Sequence, residues 1–193
     1  MKNPLADCPP RFGTVAPMYE HIGGFKVSRG TLPAGDAGTG KTLAIMRALA
    51  LEGSKQLEVR EAAISIIREA GAPAHDRWAE LRALFAWVRD RVRFTADIAG
   101  VETLQGPRYT LHTMAGDCDD RATLLVALAR SIGVTADLKF RVIAANPRSP
   151  RGFSHVYVVA NMGGKSVPMD PTYSVNPLGW QYPSPYRVAE VPA

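Results

Sequence analysis

Gly116-Asp117-Cys118-Asp119-Asp120 stands directly before Arg121-Ala122-Thr123-Leu124-Leu125-Val126-Ala127-Leu128-Ala129-Arg130-Ser131-Ile132, and together they read as a thiol at the mouth of a helix. Apolar residues recur at helical intervals up to Ile132, and Gly133 supplies the stop. With Asp117 as N-cap, Cys118 falls in the first turn, where unpaired backbone N–H groups and the helix dipole favour negative charge. A thiolate is the expected state there. Cys118, Ala122, Leu125, Ala129 and Ile132 share one stripe, with Leu128 beside it, so the thiol points from the helix end into the protein or its cleft. Two uses stay open at this point: a nucleophile, or a small buried hydrophobe.

The residues downstream favour the first. Ala136, Leu138, Phe140 and Val142 alternate with Asp137, Lys139 and Arg141, the pattern of a strand with one buried face. After a loop over 145–152, His155-Val156-Tyr157-Val158-Val159-Ala160 reads as a buried strand, Met162-Gly163-Gly164-Lys165 as a turn, and Ser166 to Asp170 as the returning strand. A loop of two or four residues centred between Met162 and Gly163 places His155 opposite Asp170, and a two-residue Gly163-Gly164 turn places them on a diagonal of the same face. A three-residue loop separates them, because one residue of slip turns a side chain to the other face. Cys118, His155 and Asp170 can then act as nucleophile, base and orienter. Zinc is a poor alternative, since no second Cys or His lies at ligand spacing near Cys118 or His155; no metal or cofactor is expected.

Upstream the chain reads as scaffold. Helices are expected from Thr42 to Glu52, with Leu43, Met46, Leu49 and Ala50 inward, and from Leu57 to Ala70, with Val59, Ala63, Ile66 and Ile67 inward. A third is expected from Asp76 to Val92, with Trp78, Leu81, Leu84, Phe85, Val88 and Val92 as core packing. Gly35-Asp36-Ala37-Gly38-Thr39-Gly40-Lys41-Thr42 satisfies the Walker A pattern letter for letter. Ser28 to Ala34, however, is polar and broken by Gly and Pro where a phosphate loop needs a buried strand, so a Gly-rich turn into a helix is preferred over a P-loop nucleotide binder. Residues 94–115 read as irregular, with Phe94-Thr95 able to begin a short strand and Glu102, Gln105 and His112 as polar candidates for a cleft wall.

Length and composition fit these parts. The chain has 193 residues, 46% hydrophobic and 21% charged, enough for one domain with appendages. The net charge of +5 is scattered among acidic residues, which argues against nucleic-acid binding. No signal sequence and no apolar run of membrane-spanning length are evident, so synthesis in the cytoplasm is expected. Cys8 and Cys118 are read as free thiols. The expected division is a Pro/Gly-rich extended arm over 1–34, a domain over 35–175 with a helical part (35–93) and a catalytic core (94–175), and a Pro-rich tail over 176–193.

Taken together, Gly116 to Asp120 with Ala122-Thr123-Leu124-Leu125 and Ile132-Gly133, His155-Val156-Tyr157-Val158, and Met169-Asp170-Pro171-Thr172 resemble the transglutaminase-like cysteine protease superfamily, and more narrowly its small phage-encoded members. Phe85 to Asp90 and Glu102 to Pro107 also look like the lead-up to the thiol in such proteins. The resemblance implies an α+β fold, a papain/transglutaminase-like core with the nucleophile helix packed on an antiparallel sheet. It assigns Cys118 as nucleophile, His155 as base and Asp170 as its partner. The backbone N–H of Cys118 with the Gln105 side chain is the suggested oxyanion site. Hydrolysis or transamidation of an amide in a peptide or protein is implied, and so is a proteolytically idle structural member. A phage virion is the implied setting, tail-associated, with both arms reaching neighbouring virion proteins.

Overall fold

The computed structural model describes residues 19–22, 24–98, 100–134 and 137–193, and the chain divides into two units, Met1–Thr31 and Leu32–Ala193. In the first, β1 (Tyr19–Ile22) and β2 (Phe25–Ser28) pair antiparallel with Ile22 opposite Phe25. The arm expected to be extended over 1–34 therefore contains a hairpin. The four-residue alternation Phe25-Lys26-Val27-Ser28 suffices once Gly24 takes φ 82° at the turn. Residues 1–18, Cys8 among them, lie outside the described residues.

The second unit runs α1 (Gly35–Gly53), α2 (Leu57–Glu69), α3 (Arg77–Arg91), β3 (Arg93–Phe94), α4 (Pro107–Thr113), β4 (Ala115–Gly116), α5 (Cys118–Ser131), β5 (Leu138–Ala144), β6 (His155–Met162), β7 (Lys165–Met169) and β8 (Arg187–Pro192). The first three helices bury the expected stripes: Leu43, Met46 and Ala50 on α1, Val59, Ala63 and Ile66 on α2, Leu81, Leu84, Phe85 and Val88 on α3. Asp76 caps α3 by accepting the Ala79 N–H at 3.0 Å.

Two expectations here are corrected. Helix α1 begins seven residues before Thr42, so the whole Walker-like run is helical. Apart from the first turn, its N–H groups are spent on helix bonds and cannot cradle a phosphate, which removes the P-loop nucleotide reading. Gly38 has a packing reason instead, because a Cβ there would collide with the Pro33 carbonyl oxygen. The stretch 94–115, read as irregular, holds α4, entered through Pro107 in its first turn, where a missing N–H costs nothing.

Helix α5 occupies the middle of the unit. It packs against α1, α2, α3 and α4 and against β6, and residues 119–129 are all buried. The single inward stripe read from its periodicity is thus too narrow, since residues on its other sides meet other helices. The sheet is antiparallel in the order β7-β6-β5-β8. Strand β8 corrects the picture of 176–193 as a tail, because Arg187 to Pro192 pairs with Ala144 to Lys139 and closes the β5 edge. Val156, Val158 and Ala160 join Leu138, Phe140 and Met169 in the core shared with α5, while Ile143, Tyr157 and Val159 form a second small cluster with Tyr182.

Candidate active site

The start of α5 is fixed from three directions. Asp117 and Asp120 form a capping box, each carboxylate accepting the other residue's backbone N–H, so two donors of the first turn are satisfied. Asp120 also accepts the Gln105 backbone N–H at 2.7 Å, which ties the incoming loop to the helix. Gly116 is required beneath this contact: a Cβ there would lie 2.6 Å from the Asp120 Cβ. Behind it, Phe94 is the register partner of Gly116 in the short parallel β3–β4 ladder, and Thr95 donates its N–H to the Gly116 carbonyl at 3.1 Å.

His155 and Asp170 meet as the two-residue turn requires. Met162 pairs with Lys165 across Gly163-Gly164, whose φ values of 57° and 75° suit a primed hairpin turn, and the ladder runs to Val158–Met169. Extending that register puts Asp170 two places diagonal from His155, and His155 Nε2 lies 2.9 Å from Asp170 Oδ2. The Nδ1 side of the ring is thereby left for another partner.

Asp170 is buried and held by further donors. The Thr172 N–H reaches its Oδ1 at 3.0 Å, and Asn176 Nδ2 reaches its Oδ2 at 3.3 Å. Burial would raise its pKa, but the His155 side chain and the Thr172 hydrogen bonds outweigh it and hold the carboxyl below its ordinary value. The loop itself is pinned by arginines: Arg89 Nη1 donates to the Asn176 carbonyl at 3.1 Å, and Arg121, on α5, donates to the Thr172 carbonyl. The other Arg121 nitrogen donates to the carbonyls of Val92 and Arg89 at the end of α3. One buried guanidinium therefore joins the thiol's helix, the preceding helix and the Asp170 loop.

Cys118, half-buried, meets β6 where β7 no longer covers it. Its sulfur accepts the backbone N–H of Val156, the residue after His155. The thiolate expected from the helix dipole is corrected. Burial pushes the Cys118 pKa up, the Asp119 and Asp117 carboxylates push it further, and the Val156 N–H only partly offsets them. A helix terminus contributes about 0.3–1 kcal/mol at exposed sites, less than one pKa unit of 1.36 kcal/mol. Desolvation beside carboxylates wins.

The buried carboxyls around the helix start, Asp119 and Asp120, are raised as well. Asp119 is 4% exposed, and burial, a hydrogen bond with the Asp117 carboxyl and surrounding negative charge raise its pKa far above the usual range. Burial lifts Asp120 to about 7 despite its two backbone donors. Glu102 is raised by burial and by Asp97 and Asp117, and it hydrogen-bonds Asp119. Oxygens of Asp117, Asp119 and Asp120 gather within 4.8 Å of one another. The cluster sits at the positive end of a helix and Asp120 is occupied by backbone N–H groups, so it is suited to sharing protons rather than to holding a cation.

Of the residues singled out in the sequence, His155 and Asp170 are in contact, and Cys118 lies against the backbone of Val156, the residue after His155. Gln105 is bound to the α5 start through its backbone, and its side-chain carbonyl accepts from the Thr110 hydroxyl at 3.4 Å. Glu102 joins the carboxyl cluster, and His112 lies exposed on α4. Asn176 and Arg121 were not foreseen. The first sits in a segment that reads as tail, and the second lies off the inward stripe directly after Asp119-Asp120, where one more charged residue gives no signal of burial.

A sequence search of curated proteins returned no match. Among solved structures, a protein from Cytophaga hutchinsonii, named provisionally as a cysteine protease, is similar at 19% identity and a TM-score of 0.45, over 68% of this chain and 42% of that one. The chain thus spans about two-fifths of that protein's length. The family description "Transglutaminase-like superfamily" matches residues 60–171, more than half the chain, from within α2 through Asp170. With its thiol-bearing helix set against an antiparallel sheet that carries the His155–Asp170 pair, the chain belongs to the transglutaminase-like superfamily.

Proposed function

We propose that the protein is a cysteine hydrolase or transamidase acting on carboxamides of a peptide or protein. Cys118 Sγ forms a bond to the amide carbon, and its proton passes to His155 Nδ1. The oxyanion is met by the Cys118 backbone N–H, free of an intrahelical partner at the helix start, with the Gln105 side chain. As the C–N bond breaks, the proton moves from His155 to the leaving amine, and a thioester remains. Water or a second amine then attacks the thioester, returning the thiol. Asp170 holds Nε2 and stabilises the imidazolium. Because the thiol pKa is raised, its proton is removed as the bond forms rather than beforehand.

The observation that carries the reading is the His155 Nε2–Asp170 Oδ2 contact of 2.9 Å, one residue from the N–H that the Cys118 sulfur occupies. Its test is covalent labelling by a peptide vinyl sulfone, read by peptide mass spectrometry. Wild type is expected to label at Cys118, Cys118→Ala not at all, and His155→Ala at least a hundredfold more slowly. Label that persists in Cys118→Ala through Cys8, at the wild-type rate, sinks the proposal. The rival reading, a structural module with an idle triad, draws on the raised thiol pKa and expects wild type and His155→Ala to label alike. The virion setting, tail-associated and with the terminal segments against neighbouring virion proteins, is supported by the resemblance of the Cys118, His155 and Asp170 motifs to small phage-encoded members.

A further inference from the structure

Among the described residues, the large apolar side chains left in water are not scattered evenly. Phe94, Ile98 and Val101 come from the segment after α3, and Tyr173 and Val175 from the segment after Asp170. Both segments run directly off the candidate site. Phe94 is the register partner of Gly116, two residues before Cys118, and Tyr173 follows Asp170 by three. The two rings stack with centroids 6.2 Å apart and planes at 28°, yet Phe94 is 43% exposed and Tyr173 54% exposed.

Such a pair is costly in water unless something covers it, and contiguous exposed apolar surface marks a binding surface. Its backbone is fixed on both sides. Thr95 N–H bonds the Gly116 carbonyl, Asn176 N–H bonds the Tyr173 carbonyl at 3.0 Å, and Arg121 holds the Thr172 carbonyl. The rings thus stand on fixed backbone, one beside the strand that leads into Cys118 and one on the segment that follows Asp170, and little ordering entropy opposes binding there. The occupant this favours is what Cys118 would attack. An acidic partner would meet the negative ring faces and lose hydration there, whereas a large apolar side chain would remove both rings and itself from water.

We propose that Phe94 and Tyr173 form a substrate subsite that takes a bulky apolar side chain, aromatic or branched aliphatic, of a peptide whose neighbouring amide lies at Cys118; this rests on the amide-directed reading above. The subsite makes the protein selective for apolar sequence rather than for any exposed carboxamide.

The test uses tripeptide vinyl sulfones with glycine, leucine or phenylalanine placed at each position in turn. The Cys118 sulfur adds to the alkene carbon, the C=C π bond is consumed, and the proton goes to the adjacent carbon. At one position leucine and phenylalanine are expected to label Cys118 about tenfold faster than glycine. In the Phe94→Ala/Tyr173→Ala protein that ratio is expected to fall towards one, with each rate divided by the same protein's rate with iodoacetamide. No position showing a preference, or a preference that survives in the double variant, overturns the subsite. If iodoacetamide labels Cys118 and no vinyl sulfone does, the amide-directed reading fails. The subsite is then judged by NMR on Cys118→Ala: shifts at Phe94 and Tyr173 with acetyl-Ala-Phe-Ala-amide and not with acetyl-Ala-Gly-Ala-amide sustain it, and equal or no shifts overturn it.

Discussion

Cys118 illustrates how a residue's neighbours can reverse the effect of its position. The first turn of a helix stabilises a thiolate, but burial, with Asp119 and Asp117 on either side, keeps the proton on. Alkylation of Cys118 by iodoacetamide, followed by peptide mass spectrometry to separate it from Cys8, is therefore expected to accelerate steadily from pH 6 through pH 9. Asp117→Asn keeps a competent N-cap while removing one negative charge, and should raise the rate at pH 7.5 by about two- to tenfold. A plateau beginning below pH 7 would mean a preformed thiolate and would contradict this reading.

The start of α5 carries a second consequence, for stability. Asp120 titrates at about 7 in the folded chain against roughly 3.9 when unfolded. Between those values the folded form binds more protons, so stability falls as pH rises, by up to roughly 4 kcal/mol for a group this buried. Asp119 acts in the same direction. Asp170 is depressed, so its contribution is complete above about pH 4 and is lost only as pH falls below that. Thermal unfolding is expected to show a higher Tm at pH 4.5 than at pH 7.5, and Asp120→Asn should narrow the gap; a wild-type Tm that rises steadily to pH 7.5 refutes the assignment. The elements themselves were largely legible. The stripes of α1, α2 and α3 announce their buried faces, and the Gly163-Gly164 pair fixes a register that brings His155 to Asp170. What stayed hidden depends on through-space neighbours. Arg121 looks like an ordinary polar position until the end of α3 and the Thr172 carbonyl are seen to converge on it. The protonation of the aspartates likewise follows from burial that no spacing encodes.

In the Leu32–Ala193 unit as a whole, the sheet depends on its last strand. Prolines at 177, 183, 185 and 192 make that region read as a tail, yet β8 covers β5, Ala193 N–H bonds the Leu138 carbonyl at 2.9 Å and Arg130 donates to the Ala193 carbonyl. Removing residues 187–193 should lower Tm by roughly 10 °C or more and promote association through the bared β5 edge; a truncated chain with unchanged Tm and monomeric behaviour on size-exclusion chromatography would show β8 to be dispensable. The central position of α5 bears on how the chain is made. Helices α1, α2 and α3 are completed by Arg91, but the helix on which all three pack ends only at Ser131. A ribosome that has finished the first three helices has therefore released apolar stripes whose partner is still to be translated, and this unit cannot close around its core until the segment bearing Cys118 has emerged.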